Sequence, residues 1–422
     1  MPPMLRRNYA RELQAIALLP LMLGAIQAGT MTVVLKKTFT DVPGLSEGTL
    51  DLLVAAIGAS AAFGNITSGF WAAIAHGRGK IRFLVWLICS TSLFVGLLAL
   101  VPRTAEGAIV FVGLIFAAWI SWSGVVTIRT AVWRANYPDA DRAKIAGKLA
   151  TVQVIVMALA GFIIGQALDI SVDAFRIVFP ALALFGFLGA ACYLRIRLRG
   201  QRRLMRMEHE GAIGERPRLN PLTIVSVLAN DRRYAAYMLC MFIFGIGNLM
   251  IGPTLAIVLT DEFNVTYLMG IFVTSIIPLL IMPFAIAVWA PLLDRVHVVT
   301  FRAIHAWAFV LLALLVFLGV QFHIFWILLF AAVAQGIGFG GGVLAWNLGH
   351  QHFAPPHRDT QYMSVHVMLT GIRGIFAPFI GVLAYTALAA TNHGAYVFLC
   401  SLGLNIIGAI GFFILHRRLR LT

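Results

Sequence analysis

The chain has 422 residues, of which 60% are hydrophobic and only 12% charged, and its formal net charge is +15. Globular domains are about a quarter charged, so this chain lacks the charge to solvate a water-facing surface, and a soluble enzyme is excluded. Its 30 phenylalanines exclude disorder, and a mean hydropathy of +0.89 places it in a lipid bilayer.

The N-terminal segment carries Arg6, Arg7 and Arg11 and then enters a long apolar run. No short apolar stretch with a small-residue cleavage site follows, so the run reads as an uncleaved first span. A helix needs about 20 apolar residues to cross the hydrocarbon layer. Twelve runs meet that length: 13–35, 51–75, 82–101, 108–133, 147–168, 175–196, 235–259, 267–290, 300–319, 323–348, 362–388 and 396–416. Pro278 and Pro283 predict two kinks in the eighth, tolerated where neighbours satisfy the freed carbonyls. Most of the 32 Lys and Arg fall at the two termini and on the even-to-odd loops; the opposite loops hold only Lys36, Lys37, Arg103 and Arg176. That asymmetry predicts a multi-pass protein of the cytoplasmic (inner) membrane with both termini in the cytoplasm. It also accounts for the net charge without a nucleic-acid partner. Cys89, Cys192, Cys240 and Cys400 sit in apolar runs and read as small packing residues.

The longest loop is strongly basic and divides the chain into a first six-helix bundle (1–196), a linker (197–234) and a second bundle (235–422). Within the linker, Asn220 as cap and Pro221 at the first helical position predict a short interfacial helix ending near Asn230. The two halves also align. One constant offset sets Thr151-Val152-Gln153-Val154 on Ser364-Val365-His366-Val367, Gly161 on Gly374 and Trp133 on Trp346. Six spans plus six with this correspondence indicate two parallel repeats about an axis along the membrane normal.

On these features the chain resembles the major facilitator superfamily of secondary transporters. That family has a glycine/acidic/basic motif between spans two and three, repeated between spans eight and nine. Here the second copy is Ala290-Pro291-Leu292-Leu293-Asp294-Arg295-Val296-His297, with its Asp-Arg pair intact. The first copy is Ala72-Ala73-Ile74-Ala75-His76-Gly77-Arg78-Gly79-Lys80, with His76 in place of the acid. The loop Trp133-Arg134-Ala135-Asn136-Tyr137-Pro138, followed by Arg142-Ala143-Lys144, is also similar to the family's. The resemblance implies an all-α membrane fold of twelve transmembrane helices in two pseudo-symmetric six-helix bundles. It implies gating roles for His76, Arg78, Lys80, Asp294 and Arg295, with a half-latch at His76 that is weaker or pH-sensitive. The antiporter-type proline motif of span five is incomplete, because Gln166 follows Gly161 and Gly165.

Ionisable groups inside spans are costly and mark interiors or cavities. With the basic residues at span ends counted with the adjoining loops, Arg129 and Arg373 remain within the predicted spans, and no acid lies deep in any; Asp51 and Asp169 come nearest, toward the outer face. This counts against cationic substrates. In the eleventh span Tyr362, His366, Thr370 and Arg373 form one polar stripe. An arginine at mid-membrane suits a carboxylate or phosphate, or else binds carbonyls at a break near Gly374 and Pro378. Arg129 shares a face with Trp122 and Trp133, beside Trp119, and is near enough to the helix end to reach the interface. By resemblance spans one, four, seven and ten line a central cavity, which makes Gln27, Asn248, Gln335, Trp346 and Asn347 candidates. His366 is a candidate proton carrier. Span ten is glycine-rich, and Gly340 and Gly341 are candidates for a bending gate. His350, His352 and His357 lack metal-ligand spacing and read as a solvated loop.

The expected function is transport of a small organic solute, anionic or amphipathic, by alternating access with ion or proton coupling. No cofactor, metal or nucleic acid is expected, and the protein is expected to be a monomer with no enzymatic activity. Two other readings stay open: a multidrug-type exporter, and a receptor or assembly factor that keeps the fold without transporting.

Overall fold

A computed structural model describes residues 3–210, 221–355 and 358–419; Asn220 and His357 lie outside them. Among the described residues there is no strand, and twelve helical spans are long and apolar enough to cross a membrane. The first is Met4–Phe39, divided into α1 (Pro3–Gly24) and α2 (Ala28–Phe39). The second is divided into α3 (Glu47–Ile66) and α4 (Ser68–Ala75). Next come α5 (Lys80–Leu97), α6 (Ala105–Asn136), α7 (Asp139–Ile170) and α8 (Phe175–Leu194). The linker holds α9 (Gln201–His209) and α10 (Pro221–Asn230). The remaining helices are α11 (Arg232–Asp261), α12 (Tyr267–Ile271), α13 (Ile277–Leu293), α14 (Val298–Gln321), α15 (Phe325–Leu348), α16 (Asp359–Ala389) and α17 (Tyr396–Leu419).

Several helices run past their apolar runs because polar caps extend them. Thr104 caps α6 by accepting from the Gly107 amide at 3.1 Å, and Asp231 caps α11 by accepting from the Tyr234 amide at 2.9 Å. Three spans are interrupted. The first unwinds at residues 25–27, where the Trp119 indole donates to the freed Ile26 carbonyl at 2.8 Å. A carbonyl released inside a membrane needs such a donor. The second turns at Thr67, whose hydroxyl donates to the Gly64 carbonyl at 2.6 Å. In the eighth, a π-helical turn, Phe272–Ile276, precedes Pro278, while Pro283 sits inside continuous α13. The extra residue of a π turn absorbs the bond that Pro278 cannot make.

The helices pack as two compact units, Met1–Gln27 with Phe63–Leu219, and Ala28–Ala62 with Asn220–Thr422. In the first, α1 packs on α7 and α8, and α5 on α6 and α8. Within it Glu12 is buried, 1% exposed. Its carboxylate accepts from the Trp133 indole, from the Tyr137 hydroxyl at 2.5 Å and from the Tyr193 hydroxyl at 2.8 Å. Burial and the Glu12 charge raise the Tyr137 phenol above its ordinary range, so it stays a donor.

In the second unit α11 packs on α16 and α17, α14 on α15 and α17, and α13 on α15. Gly336 and Gly340 let α15 approach α13: a Cβ at either would meet the Pro278 or Met282 carbonyl and the side chains of Ile281 or Ala285. Helix α2 belongs to this unit. Thr274 of the π turn donates to the Gly29 carbonyl at 2.6 Å, and Lys37 donates to the Val265 carbonyl at 2.6 Å. Lys36 is 1% exposed and bonds Asp51 and Asp261, each at 2.7 Å. The sequence places Lys36 on an outer loop; the structure corrects this, with Lys36 inside the first span and buried. Glu12 and Asp51 lie near the ends of their spans and are buried as well. These acids are already satisfied by tyrosines, an indole and a lysine.

Candidate functional site

Inside the second unit, two helices bring basic groups together and a third adds a phenol. Helix α16 contributes His366 and Arg373, α14 contributes Arg302 and His305, and α11 contributes Tyr237. All are buried. On α11, Tyr237, Met241 and Gly245 share one face at helical spacing. The Arg373 guanidinium lies along it: it donates to the Met241 carbonyl and sits against Gly245, where any side chain would collide with it. Arg302 donates to His305 Nδ1 at 3.2 Å, and His305 Nε2 donates to the Gly338 carbonyl at 2.8 Å, so that imidazole has both nitrogens engaged. The glycines of α15 serve this packing, because a Cβ at Gly341 would strike the His305 ring.

The Arg302 and Arg373 charges are near enough to repel each other, and both act on His366. The Tyr237 phenol is within reach of both. Among the described residues no carboxylate pairs with either arginine. Nε of each guanidinium, both ring nitrogens of His366 and the Thr370 hydroxyl are buried without a hydrogen-bond partner. The Trp346 ring stands edge-on to His366 at 5.9 Å, closing one side. Two buried cations without a counter-charge are expensive in a membrane interior. Such an arrangement is matched by a ligand that brings negative oxygens.

The structure thus brings Arg373, His366 and Trp346 into one region, with Thr370 on the same helix. The fourth member of the stripe, Tyr362, is committed elsewhere: its hydroxyl donates to Asp231 at 2.8 Å. Arg302 escapes a reading of the sequence because it stands at the start of the ninth apolar run; it is 3% exposed and one turn inside α14. Its signal was the Arg302–His305 pair at helical spacing within a run that turns apolar. Asn248 and Gln335 are half-buried and Asn347 is exposed, with its amide on the Val343 carbonyl at 2.8 Å; none is hydrogen-bonded to the cluster.

In the first unit, Gln27 sits at the break of span one, next to the carbonyl that Trp119 binds. Trp122 is buried. Arg129 lies over the Trp133 ring at 4.9 Å, and Trp133 in turn donates to Glu12. In the first loop motif, the acid missing at His76 arrives from the linker. The Glu208 carboxylate accepts from the Gly77 amide at 2.7 Å and from Lys80 Nζ at 2.8 Å, while His76 Nε2 meets the Glu208 carbonyl at 3.0 Å. Arg78 is exposed. In the second motif Asp294 and Arg295 are exposed and make no ion pair among the described residues. No group of three or more His, Cys, Asp or Glu suited to a metal occurs among the described residues.

The fold is shared with solved transporters. A D-xylose–proton symporter superposes with a TM-score of 0.73 at 14% identity, over 96% of both chains. The nucleoside transporter NupG gives 0.69 at 12% identity, over 96% of this chain and 98% of that one. A bacterial homolog of the human lysosomal transporter Spinster gives 0.67 at 16% identity, over 99% and 98%. No curated protein matches the sequence. The family profile described as Major Facilitator Superfamily matches residues 16–378. With twelve spans, and with that profile over most of its length, this multi-pass membrane protein belongs to the Major Facilitator Superfamily of transporters.

Proposed function

We propose that the protein is a secondary active transporter of a small organic solute bearing a carboxylate or phosphate group. The observation that carries this reading is the buried Arg302–Arg373 pair, which has free Nε donors and no carboxylate partner among the described residues. Tyr237, Thr370 and His366 supply further polar contacts, and Trp346 an apolar wall. A proton on His366 would add a third positive charge beside the two guanidinium groups unless an anion sat among them. Proton and anion thus enter this site together, which suits proton-coupled movement; a proton symporter shares the fold. Alternating access by the family's two bundles moves the solute across the cytoplasmic membrane, with both termini in the cytoplasm as the basic loops indicate. Gating falls to His76, Arg78 and Lys80, joined by Glu208, and to Asp294 and Arg295, while Gly340 and Gly341 provide close helix contacts.

Uptake of a pooled organic-acid library into proteoliposomes under an imposed pH gradient tests the reading. Wild type accumulates at least one acid in a gradient-dependent manner. Arg373→Ala lowers its apparent affinity by roughly tenfold to a hundredfold, the value of a charge-assisted hydrogen bond. Unchanged uptake in the variant, or no gradient-dependent uptake of any acid, overturns it.

A further inference from the structure

A basic recess lies in the first unit, lined by none of the residues assigned above to the solute. The start of α5, the end of α8 and the linker helix α9 enclose a recess of about 970 Å³. Arg78, Arg82 and Arg197 line it at the ends of the spans, and Phe83, Trp86 and Leu194 line it one turn further in. Both helices show the same order: Arg82 precedes Trp86 on one face of α5, and Leu194 precedes Arg197 at the end of α8. Charge therefore stands at the water boundary and apolar surface points along the spans. Trp86 and Leu194 are each 56% exposed, and Phe83 stacks on Trp86 at 5.9 Å and 11°.

The walls are fixed by bonds of their own. Asn8 donates to the Arg197 carbonyl at 2.8 Å and accepts from the Arg197 amide at 3.2 Å. Glu208 ties α9 to the start of α5 through Lys80 at 2.8 Å and the Gly77 amide at 2.7 Å. That acid is thereby consumed. No carboxylate lines the recess, and none of its three arginines makes an ion pair among the described residues. Three guanidinium groups held at a membrane boundary, over an aromatic and aliphatic wall open toward the lipid, match one amphiphile. Its anionic head meets the arginines and its acyl chain runs down Trp86 and Leu194. We infer that this recess binds a phospholipid with an anionic headgroup, drawn from the leaflet on the linker side of the membrane. Basic pockets between membrane helices recognise such headgroups, and each Lys or Arg near the surface contributes about fivefold in affinity.

The test is native mass spectrometry of the full-length protein released from vesicles of equal phosphatidylglycerol and phosphatidylcholine with matched chains. Wild type retains phosphatidylglycerol with a preference of at least roughly tenfold. The triple variant Arg78→Gln, Arg82→Gln, Arg197→Gln loses it, while Arg417→Gln with Arg418→Gln, at the far end of α17, keeps it. Equal retention of phosphatidylcholine, or undiminished phosphatidylglycerol in the triple variant, overturns the inference. So does displacement of the lipid by millimolar inorganic phosphate, which would make the occupant a soluble anion. A second readout does not depend on removing arginines. Phosphatidylglycerol with brominated chains quenches wild-type tryptophan fluorescence more than that of Trp86→Phe; equal quenching sinks the proposal.

Discussion

Arg302 and Arg373 separate two demands on a side chain. A residue kept for stability loses stability when replaced, whereas a buried cation facing another cation destabilises the unit that holds it. Arg302→Met keeps the length and apolar stem and removes the repulsion. It is expected to raise the unfolding temperature, by a gain of about 1–3 kcal/mol, while abolishing gradient-driven uptake; thermal unfolding in detergent beside proteoliposome uptake checks both. A fall in stability with uptake intact would make Arg302 structural. The sequence singled out Arg373 because an arginine stands in the middle of a long apolar run, and left open whether it meets an anion or a carbonyl; it meets the Met241 carbonyl. The sequence did not locate Arg302, since an arginine near the end of a run is indistinguishable from one that reaches back to the interface. Glu12 and Lys36 were missed for the same reason. Hydropathy tells where a chain enters a membrane, but not whether an end residue faces lipid headgroups or an interior full of tyrosines.

At the level of elements, all twelve spans were legible, because length and hydropathy alone decide them. Their interruptions were only partly so. Pro278 announced the break in span eight, yet the π turn itself carries no sequence signature. The unwound Ala25-Ile26-Gln27 segment of span one has no proline at all, and its partner, the Trp119 indole, comes from another helix. Trp119→Phe keeps the ring and removes the donor, leaving the Ile26 carbonyl unpaired in an apolar setting. The expected cost is about 1–3 kcal/mol, read as a lowered unfolding temperature. No change would mean that the broken segment finds another donor. The glycines of α15 were legible as close-packing residues, and Gly341 proves to be where the His305 ring fits.

For the whole molecule, the Lys36–Asp51–Asp261 trio is the electrostatic tie of greatest consequence, since it joins α2, α3 and α11 within the second unit. Glu47 stands 4.0 Å from the same lysine, and Glu262 beside Asp261 accepts from Tyr385 at 2.8 Å. Lys36→Met leaves two carboxylates without their cation, at a cost of about 3 kcal/mol at neutral pH. Acidification returns part of that loss, because a protonated carboxyl carries no uncompensated charge. Unfolding temperatures of wild type and variant at pH 7 and pH 5 measure the effect; a gap that does not narrow in acid refutes it. The sequence divides the chain at its central linker and carries no sign that residues 28–62 belong with the second unit. That membership bears on the order in which the chain is made. Helices α2 and α3 leave the ribosome long before α11 exists, so they wait in the bilayer with a lysine and an aspartate whose third partner has yet to be synthesised. The second unit is therefore closed by the oldest part of the chain and not by the newest. Its assembly is a late, long-range event, and a C-terminal half produced alone would lack α2, which packs on its own α11.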